Sequence, residues 1–405
     1  MTGKGMEDRR NGTVSLSRCG SYAVDEVEEA VRGALEPLGG MGSFVKPKQR
    51  VALKPNLLRG ADASSAVITH PSVVEAVARL VTEAGGSPFV IDSPGAGIPY
   101  VPQTLHRIYQ RCGYLSLELA VSLNYDCRIT AVPFAEGRVM KRFDVLSPVL
   151  DADVLINLPK VKSHGFTYLS CAVKNLFGVV PGLHKPSYHG RFKDRERFGS
   201  MLIDLCLLLA PALTICDGIV GMEGDGPSWG GLRELGLIAA SADPFHLDLV
   251  TCSLIDFDPM RVPYLRQAIH QGICAADVSA VPLKAPGTLD ALRVPFSAPA
   301  TFDAPGVIDR LRRAFLLSVL CHACGRVLSI TPRVDPAACR GCGVCAEACP
   351  NRAVSMVSGR ARINRRRCIR CYCCHELCPH GAIVLRPSRI RKVLRALRRA
   401  ALRRV

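Results

Sequence analysis

Three enzyme signatures are missing from the 405 residues: a Walker-type loop, an H-E-x-x-H pair and a G-x-G-x-x-G turn. A P-loop nucleotidase, a zincin or a dinucleotide-dependent dehydrogenase therefore has no support. The opening residues, MTGKGMEDRRNG, are polar with no apolar run behind them, which sets the expectation of a cytoplasmic protein without a secretory signal. No run is suited to cross a bilayer. The longest apolar stretch, MLIDLCLLLAPALTICDGIVG, is broken by Asp204, Pro211 and Asp217, whereas a spanning helix needs about 20 nearly uncharged residues. It reads as a core helix followed by a buried strand.

What the chain has in excess is cysteine, 19 residues in all. In a reducing compartment, clustered thiols mean metal or redox chemistry and not a disulfide framework. Nine of them fall between Cys339 and Cys378, where CRGCGVCAEACP recurs as CIRCYCCHELCP. Each copy puts three thiolates on one tight loop, and in a two-cluster ferredoxin the fourth cysteine of each crosses to the other cluster. The expected ligands of one 4Fe–4S cluster are Cys339, Cys342, Cys345 and Cys378; those of the other are Cys368, Cys371, Cys374 and Cys349. A zinc ribbon would need only four ligands in paired knuckles. Cys373 is a spare thiol beside Cys374. Cys321 and Cys324 form a further C-x-x-C with no two additional ligands at motif spacing. The remaining cysteines, such as Cys171, Cys206 and Cys216, are expected to sit singly as small hydrophobes.

From Thr13 to about Ser253, β-rich runs alternate with helical patterns, which predicts an α/β fold with a parallel or mixed sheet and covering helices. The later strands RITAVPF, DVLINLP, ALTICD and LGLIAAS are apolar runs of the kind expected in a sheet buried on both faces. His70-Pro71-Ser72 and Asp243-Pro244 mark helix starts. Residues 1–281 form this domain, 282–329 a Pro/Ala-rich connector with a linker helix, and 330–387 a small α+β ferredoxin-like iron–sulfur domain. Residues 388–405 form a basic amphipathic tail.

Several predicted strands end in polar side chains: Lys54 and Asn56, then Asp92, then Lys160, Lys162 and His164, then Asp217. Ligands of open α/β sheets bind at the carboxyl ends of strands, so these residues point to one cleft. If residues 160–164 are extended, Lys160, Lys162 and His164 share a face, and such a set suits an anionic small-molecule ligand. With Lys174 these three are the candidate catalytic residues. Lys54, Asn56, Asp92, Asn175, Asp217, Glu223 and Asp225 are candidates for binding. Glu223 and Asp225, in a glycine-flanked loop, would suit a divalent cation together with Asp217, or lie in a solvated turn. His184 and His189 would belong to a lid or to a surface loop.

The net charge of +17 is concentrated at the end: residues 339–405 carry 17 Lys/Arg against Glu347 and Glu376. The tail RPSRIRKVLRALRRAALRRV, with leucines at helical spacing, suits a peripheral contact with the inner membrane face, an acidic redox partner protein, or simple solvation. Nucleic acid is disfavoured, since no aromatic interleaves the arginines.

These residues resemble domain-of-unknown-function family 362. The likeness covers nearly the whole chain through KPN at 54–56, THP at 69–71, NLPKVKSHG at 157–165, AVKNLFGVVPG at 172–182, DGIVGMEGDGP at 217–227 and SADPFHLD at 241–248. Phe245-His246 departs from the family pattern, in which a small residue and a hydrophobe are usual. The resemblance implies a 4Fe–4S protein without an established substrate. A looser likeness is to the amino-terminal domain of nickel-pincer lactate racemases, which surrounds an anionic cofactor with histidine and lysine. The function expected is electron transfer through the ferredoxin module to an anionic substrate or cofactor in the α/β domain. The alternatives are a carrier or scaffold subunit of a partner oxidoreductase, and a metal- or cofactor-handling protein.

Overall fold

The computed structural model describes residues 12–95, 97–302 and 330–386. Cys321, Cys324, the expected linker helix and the expected basic tail lie outside the described residues.

The larger unit is α/β. Its strands are β1 (Val14–Arg18), β2 (Arg50–Pro55), β3 (Ser87–Val90), β4 (Ser122–Leu123), β5 (Ile129–Pro133), β6 (Arg142–Leu146), β7 (Val154–Leu158), β8 (Lys160–His164), β9 (Tyr168–Ser170), β10 (Leu213–Glu223), β11 (Gly231–Ser241) and β12 (Leu283–Lys284). The main sheet runs β12-β1-β11-β10-β7-β2-β3-β4, with β8 joined to β10 and β9 to β8. Its centre is parallel, β10, β7, β2, β3 and β4 running the same way, while β11 is antiparallel to both neighbours. One expected strand falls elsewhere. RITAVPF forms β5, which pairs only with β6 in a separate hairpin and is largely exposed. With Thr130, Ala131 and Pro133 among its five residues, it lacks the continuous run of large apolar side chains that a strand buried on both faces needs.

Local chemistry sets where helices begin. At His70 the backbone is extended, the imidazole accepts from Ser72 N at 3.2 Å, and Pro71 occupies the first helical position of α1 (Pro71–Glu83). Its buried stripe of Val73, Val74, Ala76, Val77, Leu80 and Val81 packs on the sheet; each such valine or leucine contributes about 1.5–3 kcal/mol of burial. Asp243 caps a later helix, Pro244–Leu254, by accepting from Phe245 N and His246 N. His246 itself meets the Gly12 carbonyl at 3.1 Å, so that departure from the family pattern joins this helix to the chain just ahead of β1.

The smaller unit is a pair of antiparallel two-stranded ribbons, β13 (Thr331–Val334) with β16 (Ile383–Arg386) and β14 (Val354–Val357) with β15 (Arg360–Ile363). Two short helices, Val344–Glu347 and Cys373–Leu377, sit within the cysteine loops. The duplication seen in the sequence recurs in the backbone. Gly341 and Gly343 have φ of +70° and +80°, and their counterparts Arg370 and Tyr372 have +60° and +66°. A side chain on Gly341 would put Cβ 2.3 Å from the Gly359 carbonyl, so only glycine fits there. The second loop holds the same shape with Arg and Tyr, at a cost of roughly 1–2 kcal/mol for each left-handed residue.

Candidate functional site

The eight motif cysteines surround two cavities. One is lined by Cys339, Cys342, Cys345 and Cys378. The other is lined by Cys349, Cys368, Cys371, Cys374 and the spare Cys373. Related backbone amides point at the crossing thiols: Ala353 N lies 3.1 Å from Cys349 Sγ and Ala382 N 3.2 Å from Cys378 Sγ. N–H···S contacts of this kind are among the hydrogen bonds that surround a cluster's cysteine ligands. Among the described residues, no three His, Cys, Asp or Glu side chains converge at single-ion distances. The thiols ring volumes instead of meeting at a point, and the donor set fits cubane clusters in place of a zinc knuckle.

The second helix, Cys373–Leu377, is pressed against the α/β unit. Gly95 and Gly97 make this possible: a Cβ on Gly95 would lie 2.7 Å from Leu377, and one on Gly97, whose φ is +88°, 2.6 Å from Ala348. Trp229 Nε1 donates to the His375 carbonyl at 3.1 Å, with its ring packed over Gly381. Through this seat Glu376, 8% exposed, enters the polar interior, its Oε1 3.5 Å from His164 Nε2. The amides of Phe166 and Thr167 donate to His164 Nδ1, so a neutral imidazole carries its proton on Nε2, facing Glu376.

The polar strand ends do meet, as two linked networks. In the first, Lys54 Nζ pairs with Asp92 Oδ1 at 2.7 Å, and Asp92 also accepts from Leu57 N. Asn175 bridges Lys54 O, Asn157 Oδ1 and Asn56 Nδ2, and Lys162 Nζ donates to Asn56 Oδ1 at 2.8 Å and Val67 O at 2.6 Å. In the second, Lys160 pairs with Asp217 at 2.8 Å, and both bond the Tyr22 hydroxyl. The His70 ring stacks on Tyr22 at 3.9 Å while its amide donates to Asp217. Two of the four candidate lysines, Lys54 and Lys160, are thus neutralised by carboxylates. Among the described residues, neither Lys162 nor Lys174 has a carboxylate within hydrogen-bonding distance, and Lys174 lies 5.0 Å over the Phe177 ring.

Burial governs the electrostatics. It lowers the Lys162 pKa to about 7, with Lys174 and Lys160 adding to the effect. Burial also drives His164 well below its usual value, again reinforced by Lys174. Lys174 is lowered by burial and partly restored by Glu376. Glu376 is raised to about 7 by burial, against the pull of Lys174 and Lys162. With Lys54–Asp92 and Lys160–Asp217 paired, the groups left are Lys162, Lys174 and His164, faced by Glu376, and they would compensate a desolvated anion.

Other expectations are corrected. The acidic residues do not form a cation site, because Asp217 is taken by Lys160 and Glu223 Oε2 accepts from Ser297 N at 2.6 Å. His184 lies in a partly exposed turn, as the surface-loop reading expects, with Nδ1 3.0 Å from Asp144 Oδ2, whereas helix Lys185–Arg191 buries His189 against Phe198 at 4.5 Å, and Lys185 Nζ reaches the Ser93 carbonyl at 2.9 Å. Cys171 and Cys216 do not sit singly, their sulfurs being 3.3 Å apart in the core. Gly226-Pro227-Ser228-Trp229-Gly230 has the spelling of a nucleophile elbow, yet it lies in the turn between two strands and Ser228 Oγ is buried without a partner. The strand-to-helix context of that motif is absent here. Sequence reasoning missed Glu376 and Tyr22; the only signal for Glu376 was an acidic residue among cationic neighbours inside the second cysteine loop.

Comparison with known proteins gives three findings. A family model described as a domain of unknown function, DUF362, matches residues 51–253, and one described as a 4Fe-4S dicluster domain matches residues 331–379. A thylakoid-associated protein of Synechocystis sp. is 42% identical over 317 residues, covering 75% of this chain and 95% of that protein. The lactate racemase apoprotein of Thermoanaerobacterium thermosaccharolyticum aligns over 58% of this chain and 55% of its own, at 12% identity and a TM-score of 0.39.

Proposed function

Since this chain belongs to the DUF362 family and carries a 4Fe-4S dicluster domain, we propose that it transfers electrons to an anionic ligand held in the α/β domain at Lys162, His164 and Lys174. The observation that carries this reading is the seating of the second cysteine helix on the polar interior, with Glu376 buried 3.5 Å from His164. Cys339, Cys342, Cys345 and Cys378 would hold one cluster and Cys349, Cys368, Cys371 and Cys374 the other. When bound, such clusters supply one-electron transfers at potentials set by hydrogen bonds, charge and solvent.

The chain's own residues do the rest. Lys162 and Lys174 offer ammonium groups not committed to a carboxylate bond, and His164 offers Nε2–H. Asn56 and Asn175 fix the direction of Lys162, while Lys54–Asp92 and Lys160–Asp217 hold the strand ends rigid as neutral pairs. Enclosure of these groups strengthens each electrostatic contact with an anion.

The test is reoxidation. Anaerobically reduced protein is mixed with a panel of small carboxylates and oxyanions, and recovery of the visible absorbance is followed. An accepting ligand should reoxidise the wild type, and Lys162→Ala combined with Lys174→Ala should slow this by about tenfold or more, equivalent to the loss of roughly 1.4 kcal/mol of interaction. Equal rates and equal ligand affinities in the variant and the wild type, at unchanged iron content, defeat the proposal.

The name of the Synechocystis relative favours a second reading, a carrier or scaffold subunit at a membrane surface. No helix among the described residues is long and apolar enough to cross a membrane, so the contact would be peripheral and would use the tail at 388–405. Flotation of the full chain with phosphatidylglycerol vesicles, lost on deleting that tail, would support it; no flotation in low salt would reject it.

A further inference from the structure

The two cysteine cavities face different surroundings. The inner one, at Cys371 and Cys374, is buried against the α/β unit. The outer one reaches the surface, where Cys342 is exposed and Cys339 half-buried. Around this outer opening stand Arg340, which lines the cavity itself, and Arg360 and Arg362 on β15, while Arg365, Arg366 and Arg367 follow in the turn that leads to Cys368 of the inner cavity. All six are exposed, and none has an ion-pair partner among the described residues. Between residues 339 and 386 there are nine arginines and two acids, one of which, Glu376, is turned inward.

The patch has an apolar centre as well as a charged rim. Met356 lines the outer cavity and is 37% exposed, and its neighbour Val357 is 46% exposed. An apolar core within a polar rim is the anatomy of a protein interface, and exposed arginines on a hairpin raise the rate of encounter with an oppositely charged partner. The hairpin is also rigidly placed, since Gly341 and Gly359 are in close backbone contact at the cavity mouth.

We propose that this arginine-rimmed face, β14–β15 with the Arg340 loop, is the docking surface for an acidic one-electron carrier protein of the small ferredoxin or flavodoxin kind. The proposal deepens the electron-transfer reading above, naming the side of the molecule at which electrons arrive. One electron leaves the reduced carrier, which is oxidised, and the iron–sulfur protein is reduced by one; no bond is made or broken and no proton or leaving group is required. The arginines steer and orient the carrier, and Met356 and Val357 exclude water from the centre of the contact.

The experiment uses the full, cluster-loaded chain. Bleaching of its visible absorbance is followed after mixing with a pre-reduced acidic plant-type ferredoxin, and separately under a neutral deazaflavin photoreductant. Arg360→Glu with Arg362→Glu should slow reduction by the ferredoxin at least tenfold at low salt and raise its Kd by a similar factor, leaving iron content and photoreduction unchanged. Rising ionic strength should slow the wild type toward the variant. Ferredoxin-dependent rates that are equal in variant and wild type, or insensitive to salt, overturn the proposal. So does a variant that loses binding to phosphatidylglycerol vesicles while keeping the wild-type ferredoxin rate, because the face would then be a lipid contact. None of these readouts involves the ligand of the α/β domain, so failure of the inner site and failure of the docking face are separately visible.

Discussion

The first cysteine loop and the second share one spacing and one backbone shape, but the first faces solvent among arginines and the second is enclosed by the α/β domain. In the first, glycines take the left-handed positions and no side chain presses on Gly343; in the second, Arg370 and Tyr372 take them under strain. The comparison teaches that the duplication conserved how iron is held and left each half free to acquire its own neighbour. Tyr372 illustrates this: it occupies the place of Gly343, is 4% exposed, and its hydroxyl bonds the Ile330 carbonyl. The strained residue is retained where it fastens the module.

The strongest way to break the comparison is to remove one ligand from each half. Cys342→Ser and Cys374→Ser should each lower iron and acid-labile sulfide from about eight to about four per chain. Cys374→Ser should also loosen the module from the α/β unit more than Cys342→Ser does, read as faster proteolysis, because the helix Cys373–Leu377 forms most of the seat and the first half adds Ala348 against Gly97. Equal protease sensitivity in the two variants would show that the halves are structurally equivalent after all.

A smaller effect is expected from the glycines. Gly97→Val places a branched side chain on a left-handed residue against Ala348, and should destabilise docking by about 2–4 kcal/mol, read as an earlier urea transition monitored at the clusters. Gly343→Ala meets nothing in the outer loop and should cost only about 1–2 kcal/mol, from backbone strain alone. If the two substitutions cost the same, close approach at Gly97 is not what seats the module.

A third effect concerns pH. Lys162 has its pKa lowered to about 7 by burial, while an unfolded lysine titrates near 10.4. Between these values the unfolded chain binds a proton that the folded chain does not, so stability gains from this residue as pH rises. Its penalty is complete below about 7 and fades toward 10. Thermal denaturation at pH 7 and pH 9.5 should therefore show wild type gaining on Lys162→Met as pH rises.

The α/β alternation, the polar strand ends and the position of the cysteine loops were legible in the sequence because each is a local pattern of period or spacing. Pairing was not legible. Lys54 and Lys160 read as anion-binding groups, and only the sheet order, which sets Lys160 beside Asp217 and β2 beside β3, turns them into neutral pairs. The same applies to Cys171 and Cys216, 45 residues apart and brought into contact by the core. Glu376 was hidden for a different reason: inside a C-x-x-x-C segment it reads as a spacer between ligands, and its importance comes from what the other domain places opposite it.

The chain contains a single tryptophan, and it stands at the junction of the two units. Trp229 donates to His375, lies over Gly381 and has the Arg59 guanidinium 5.0 Å above its ring. Iron–sulfur chromophores absorb where indole emits, so the protein carries its own optical gauge of assembly: its fluorescence should be dark while the module is seated and brighten when the two parts separate.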